Sequence, residues 1–397
     1  MVHLPALPAR NPAQHHRAAT QLELFFDLVF VIAIASVTAA LHHGISEGHG
    51  VEVLPRFLFL FISIWWSWMN FTWFASAFDN DGPLYRLLTM TIMVGALIFA
   101  GGASHIFETL DMQWGVLGWC IMRVAMALLW LRASSNPAYR TTCRRFAAGI
   151  LIAQLGWILV YLLCAPGSTA FFIGAALVFL IEFSVPVFAE RAGATPFHRH
   201  HIIERYGLLT IISMGEIMLA ISIGFSMMYG EHGLIWPGVV ALGGAVMVLA
   251  IFWLYFTEED HLPRADTKTA FIWGYSHVFI FGSIAVMGAG VAAELDLASH
   301  HSKATPAELA MWLGLPLAVF LLALWVARDR HFHHGIRSLA LSVMAGVSVA
   351  GAFLDLPTWG FALIAVAAVL WRCPLREPAP DAGTVLEHGQ PASDHRH

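Results

Sequence analysis

Residues 21–35 read QLELFFDLVFVIAIA and continue through SVTAAL to Leu41. The run is about 20 apolar residues long, the length that crosses a bilayer as a helix. Its start carries two carboxylates, Glu23 and Asp27, spaced i and i+4 and so on one helical face. A signal peptide would follow basic residues such as Arg10 and Arg17, but its apolar core is shorter and uncharged, so the run is expected to be a retained first helix.

Working outward from that helix, composition makes it one of many. Hydrophobic residues are 58% of the 397, charged residues 12%, and mean hydropathy is +0.69. A soluble domain is far less apolar. Stretches long enough to span fall near 22–41, 54–76, 84–104, 113–132, 143–164 and 168–189. Six more fall near 202–226, 234–257, 270–293, 307–326, 335–353 and 356–372. In hydrocarbon each segment must satisfy its own backbone, so the fold class is all-α, with twelve transmembrane helices. Trp65, Trp66, Trp68 and Trp73 are expected in an interfacial aromatic belt.

Basic residues set the orientation. With the N-terminus in the cytoplasm, Arg10, Arg86, Arg140, Arg144, Arg145, Arg205, Arg328, Arg372 and most other bases fall on the cytoplasmic side. Only Arg56 and Lys303 fall outside, and Arg123 lies within a helix. The positive-inside rule therefore gives an inner-membrane protein with both termini cytoplasmic and an external loop at 294–306. Residues 1–19 and 373–397 are expected to be disordered ends around a membrane domain over 20–372.

Twelve is twice six, and the halves 20–190 and 200–372 echo each other. Glu23 opens the first helix and Glu204 the seventh; WWSWMNFTWFASAFDND and LAIFWLYFTEED both run from aromatics into acids. Two six-helix repeats in parallel orientation would give both features.

The chemistry is carried by charge that lipid disfavours. Asp27, Arg123, Glu182 and Glu216 lie inside predicted helices, with Glu23 at an edge, each costing about 2.5–3.5 kcal/mol at a helix centre. They are expected to face the bundle interior. Four acids against Arg123 as the one buried base imply a net negative interior, suited to a cation or proton. Glu23, Asp27, Glu182, Glu204 and Glu216 are the candidate ion or proton pathway, with Arg123 pairing Glu182 or Glu216. For Glu23 alone the helix dipole and capping suffice as an explanation.

The 21 histidines cluster at 15–16, 42–43, 198–201, 300–301 and 331–334, read as rim and loop positions, and none completes a metal-ligand set. His277, inside a helix, and His105 at a rim are the histidines placed to handle protons. Cys120, Cys143, Cys164 and Cys373 show no paired spacing. No catalytic motif, cofactor fingerprint or nucleic-acid patch appears, so neither an enzyme, a cofactor nor a nucleic-acid partner is expected. Glycines in VALGGAVMV and AVMGAGVAA read as close helix packing.

LELFFDLVFVIAIA, WWSWMNFTWFASAFDND and HHIIERYGLLTIISMGEIML together resemble, in order and spacing, the bacterial low temperature requirement protein A family, from about residue 20 to 370. The resemblance implies a multi-pass bacterial membrane protein with no settled activity, and places Glu23, Phe26, Asp27, Trp66, Asp79, Asp81, Glu204, Arg205, Tyr206, Gly207 and Glu216 in the family's motifs. Phe25, Asp27, Phe30 and Ile32 are also similar to a first-helix signature of a lysosomal and bacterial potassium channel family. The expected function is passage of a small solute, a cation or proton, across the bilayer. The rivals are a sensor or scaffold with purely structural charges, and a lipid-modifying enzyme seeded at HRHH–ERY beside Asp79 and Asp81. Oligomeric state is not legible.

Overall fold

A computed structural model describes residues 7–11, 18–79, 81–228, 235–257, 262, 267–332 and 335–372. The expected disorder of residues 1–6, 12–17 and 373–397 lies outside these residues, as does the side chain of Glu216.

The first half comprises α1 (Gln21–Ser46), α2 (Gly50–Ala77), α3 (Pro83–Gly101), the short α4 (Ala103–Thr109), α5 (Gln113–Ala133), α6 (Arg140–Leu163) and α7 (Thr169–Glu190). The second comprises α8 (Arg199–Met228), α9 (Ile235–Phe256), α10 (Thr267–Ala298), α11 (Pro306–Leu324), the single turn α12 (Arg330–Phe332), α13 (Ala340–Phe353) and α14 (Thr358–Arg372). Among the described residues eleven spans are long and apolar enough to cross a membrane, and α14 is a shorter apolar twelfth. A single bridge between Ala9 and Phe78 is the one β-type contact among them.

Local chemistry sets the helix starts. At α1 the Thr20 hydroxyl accepts from the Glu23 N–H (3.2 Å) and the Glu23 carboxylate accepts from the Thr20 N–H (2.7 Å), a reciprocal cap. Thr305 and Glu308 repeat it at α11 with Pro306 in the first turn, and Pro83 opens α3. The α1–α2 turn closes through Gly48 at φ 81°, a left-handed backbone that suits glycine. α7 continues through Pro186.

In the first half α1 packs on α2 and α3, α3 on α5, α5 on α6 and α6 on α7. In the second α8 packs on α9 and α10, α10 on α11, α11 on α13 and α13 on α14, and α9 packs closely on α14, a contact that α2 and α7 do not match. α10 also packs along α1 and joins the halves. Its apolar window is 72% buried, against 33% for α7 and 39% for α6, so α10 is central and α6–α7 form a flank. The flank shows Leu155, Leu162, Ile173 and Leu180 outward, as a surface facing acyl chains does. Close packing at the expected glycines is present: a Cβ at Gly243 would stand 2.9 Å from the Trp359 nitrogen, and one at Gly290 2.9 Å from the Trp312 carbonyl.

Three expectations need correction. Trp65, Trp66 and Trp68 are not in a surface belt but at most 1% exposed inside the bundle, because two of their indole N–H groups serve buried carboxylates. α10 runs on to Ala298, so Glu294 and Asp296 are helical rather than in an external loop. α8 begins at Arg199, so Glu204 does not open it; Arg205 lies nearly two turns inside.

Candidate functional site

The site starts from two helix N-termini side by side. Glu23 and Asp27 are the third and seventh residues of α1; His201 and Arg205 are the third and seventh of α8. Acids in one helix thus face bases at matching positions of the other. Arg205 forms a two-pronged pair with Asp27, Nε donating to Oδ2 at 2.9 Å and Nη2 to Oδ1 at 2.6 Å. His201 Nε2 lies 3.0 Å from Glu23 Oε1, and Arg205 Nη1 lies 3.4 Å from the same oxygen. Trp68 from α2 donates its indole N–H to Asp27 at 2.7 Å. All four ionisable side chains are at most 1% exposed. The planar fork of arginine matches a carboxylate in this geometry, and a lysine would not.

Arg123 therefore is not the one buried base. Arg205, Arg328 and Arg372 are at most 2% exposed as well, so among the described residues the buried acids have four arginines rather than one to pair with. Burial leaves each acid in need of a base, and bases near helix ends turned inward to supply it. His198 and His201, expected at a solvated rim, are buried: His201 lies in the first turn of α8, which begins at Arg199, and His198 immediately precedes that helix.

The expected Arg123 pairing is present with Glu182: Arg123 Nη2 donates to Glu182 Oε2, and Trp66 Nε1 donates to the same oxygen at 2.9 Å. This pair joins α5 to α7 within the first half. In the second half Asp329 receives Arg328 (3.0 Å) and Arg372 (2.6 Å), while Arg328 also caps the last carbonyls of α9 at Leu254 and Tyr255 (2.7 and 2.8 Å).

Glu204 stands apart from Asp27. It is half-buried and accepts from the Ala19 N–H (3.1 Å), fixing how the chain enters α1. Asp79, at the end of α2, pairs with Arg10, and Tyr206 receives the Trp73 indole N–H at 3.0 Å. His277 is buried and bonded to Tyr255 at 3.1 Å; His105 is exposed and 3.4 Å from Asp111.

At the far ends of α1 and α8 the two helices enclose a cavity of about 160 Å³, lined by Thr38, Ala39, His42, Leu219, Ala220 and Ile223 with Asp296 of α10. Asp296 accepts from Ser46 (2.6 Å) and lies 2.8 Å from His42 Nε2. Sequence reading missed Asp296 and His42, because one sat beyond the predicted end of its helix and the other in an ordinary pair of histidines. Between Asp27 and His42, about 22 Å of α1 buries Phe30, Ile34, Val37 and Leu41. The helices are thus pinned by ion pairs at one end, packed with apolar side chains in the middle and hollow at the other. Among the described residues no group of three metal-ligating side chains forms.

A family model described as "Bacterial low temperature requirement A protein" matches residues 18–372. An uncharacterised protein of Rhizobium meliloti (strain 1021) is 27% identical over 366 residues, covering 88% of this chain and 86% of that protein. No solved structure matches.

Proposed function

Because this chain belongs to the bacterial low temperature requirement A family, a membrane family whose motifs meet at the α1–α8 contact, we propose that it is a carrier for a small cation or proton. The observation that supports the reading is the contrast along one helix pair: Glu23–His201 and Asp27–Arg205 close the α1–α8 contact at one end, and a cavity holding Asp296 and His42 lies between them at the other. A closed layer below a hollow suits alternating access, in which one half rocks against the other, rather than an open pore. Opening the closed end means parting Arg205 from Asp27. A cation or proton arriving at the freed carboxylate offsets the cost of leaving it alone in a low-dielectric interior. Glu182, tied inside one half, serves as a brace.

The test is flux of purified protein in proteoliposomes, with a cation panel and an internal pH dye. Wild type is expected to move at least one cation or protons. Asp27→Asn keeps the shape and leaves Arg205 the Glu23 carboxylate at 3.4 Å, so it should lower the melting temperature, keep a cooperative melt, and abolish flux. Normal flux in a well-folded Asp27→Asn protein would sink the reading.

A second reading, a scaffold held by structural charges, draws support from the pairing of Asp27, Glu182 and Asp329 with arginines. It requires wild type to show no flux for any cation or for protons. The orientation proposed with either reading puts both termini in the cytoplasm of an inner-membrane protein. Lys303, 72% exposed in its pairing with Glu47, then faces outward. A cysteine introduced as Lys303→Cys should react with an impermeant reagent in intact cells; reaction only after permeabilisation reverses the orientation.

A further inference from the structure

The α6–α7 flank carries a groove unrelated to the α1–α8 contact. It has a volume of about 460 Å³ and is lined by Thr141, Arg144, Arg145 and Phe188 at its mouth, and by Gly149, Ile152, Ile181, Ser184 and Val185 deeper in. The order along the helices matters. Arg144 and Arg145 lie in the second turn of α6, and the apolar residues follow one to three turns further into the membrane zone. Phe188 and Ile152 are more than half exposed, so the apolar part opens outward rather than into the bundle.

The floor is rigid. A Cβ at Gly149 would meet the Val185 methyls at 2.7 Å, one at Gly156 would meet Val178 at 2.9 Å, and one at Gly174 would meet Val160 at 2.8 Å. Three glycines each seat a valine of the facing helix, which holds α6 and α7 together without large side chains filling the space above. The Arg145 guanidinium lies 4.8 Å from the Phe188 ring centroid and is thereby held at the mouth. Arg144 is exposed and makes no ion pair among the described residues. No acid lines the groove. Of the acids on α7, Glu182 is buried on the opposite, inward side against Arg123, and Glu190 is engaged by the Thr195 N–H (2.8 Å) and hydroxyl (2.7 Å). Arg140 and Arg191, both exposed, stand at the ends of the same two helices.

We propose that this groove is a binding site for an anionic diacyl phospholipid of the leaflet at the basic end of the bundle. Its phosphodiester would sit on Arg144 and Arg145, and an acyl chain would follow Ile152 and Ile181. The argument is charge complementarity joined to an apolar gradient of matching direction. Clustered guanidinium groups beside an outward apolar slot bind a net negative headgroup, whereas a zwitterionic lipid brings its own cation and gains less.

Native mass spectrometry of the full-length protein in detergent, titrated with phosphatidylglycerol, phosphatidylcholine or inorganic phosphate, tests this. Wild type should retain phosphatidylglycerol preferentially. Arg144→Ala with Arg145→Ala should weaken that binding about twenty-fivefold, about fivefold for each guanidinium near the surface. Arg144→Ala alone, an exposed change that leaves folding intact, should show the smaller step. Arg337→Ala, an exposed arginine on the other half, should change nothing. Equal retention of phosphatidylcholine overturns the proposal. So does competition by phosphate alone, undiminished binding in the double variant, or an equal loss in Arg337→Ala, which would mean diffuse surface charge.

Discussion

The Asp27–Arg205 and Arg123–Glu182 pairs are built from the same parts, a buried carboxylate, a buried guanidinium and a tryptophan N–H, yet they are held differently. Asp27 takes both prongs of Arg205, and the neighbouring Glu23–His201 pair shares that arginine. Arg123 reaches Glu182 through Nη2, while its Nε and Nη1 and the Glu182 Oε1 make no hydrogen bond. The pair with both carboxylate oxygens bonded lies between the two halves, at matching positions of α1 and α8; the pair with one bonded carboxylate oxygen lies within a half. A contact inside one body can be loose because packing on every side retains it. One between bodies must supply its own geometry, and its strength sets how readily the bodies part.

That contrast can be broken most directly by Arg205→Leu. It strands Asp27 without its base and removes a neighbour from Glu23, so the expected loss is at the upper end of about 3–5 kcal/mol for an orphaned buried charge. The measurement is thermal unfolding in detergent, and a loss under about 1 kcal/mol would show that the contact is not held by this pair.

Arg123→Leu should cost less, about 3 kcal/mol, since it strands one acid that keeps the Trp66 donor. Adding Glu182→Leu removes the orphan and should restore most of the loss, because apolar replacements of a buried pair are often neutral. No recovery in the double variant would mean that the pair contributes more than mutual neutralisation.

The smallest effect belongs to a rim pair. Arg86 donates to both oxygens of Asp81 at 2.8 and 2.6 Å, holding that carboxyl below its usual range. A carboxyl lowered on folding stabilises above its unfolded value of about 4 and loses that contribution as pH falls through the lowered one. Both side chains are more than half exposed, so solvent screens the pair. Arg86→Gln should shift the melting temperature slightly at neutral pH, and the shift should vanish in acid. A shift that persists in acid would assign the effect to packing.

Much of this was legible in the residues. Long apolar runs admit only helices in lipid, and the twelve expected segments correspond to eleven long spans and the shorter α14. The Thr20–Glu23 cap is local chemistry, visible as an acid three residues after a threonine. Glu23 and Asp27 shared a face for the same reason, and Arg123 needed an acid of similar depth.

Only tertiary structure decided who met them. Arg205 looked like one more rim base, because nothing local says that α8 starts at Arg199 and turns its seventh residue toward α1. Trp66 and Trp68 looked interfacial, since an indole is equally content at a headgroup or beneath a carboxylate. Asp296 and His42 are 254 residues apart, and the cavity between them belongs to neither segment. Backbone satisfaction and burial of apolar surface are properties of each segment, so the sequence determines that this chain is a helical membrane bundle. Neutralisation of a buried charge is a property of pairs distant in sequence, so the closed and hollow ends of the α1–α8 contact exist only once the two halves come together.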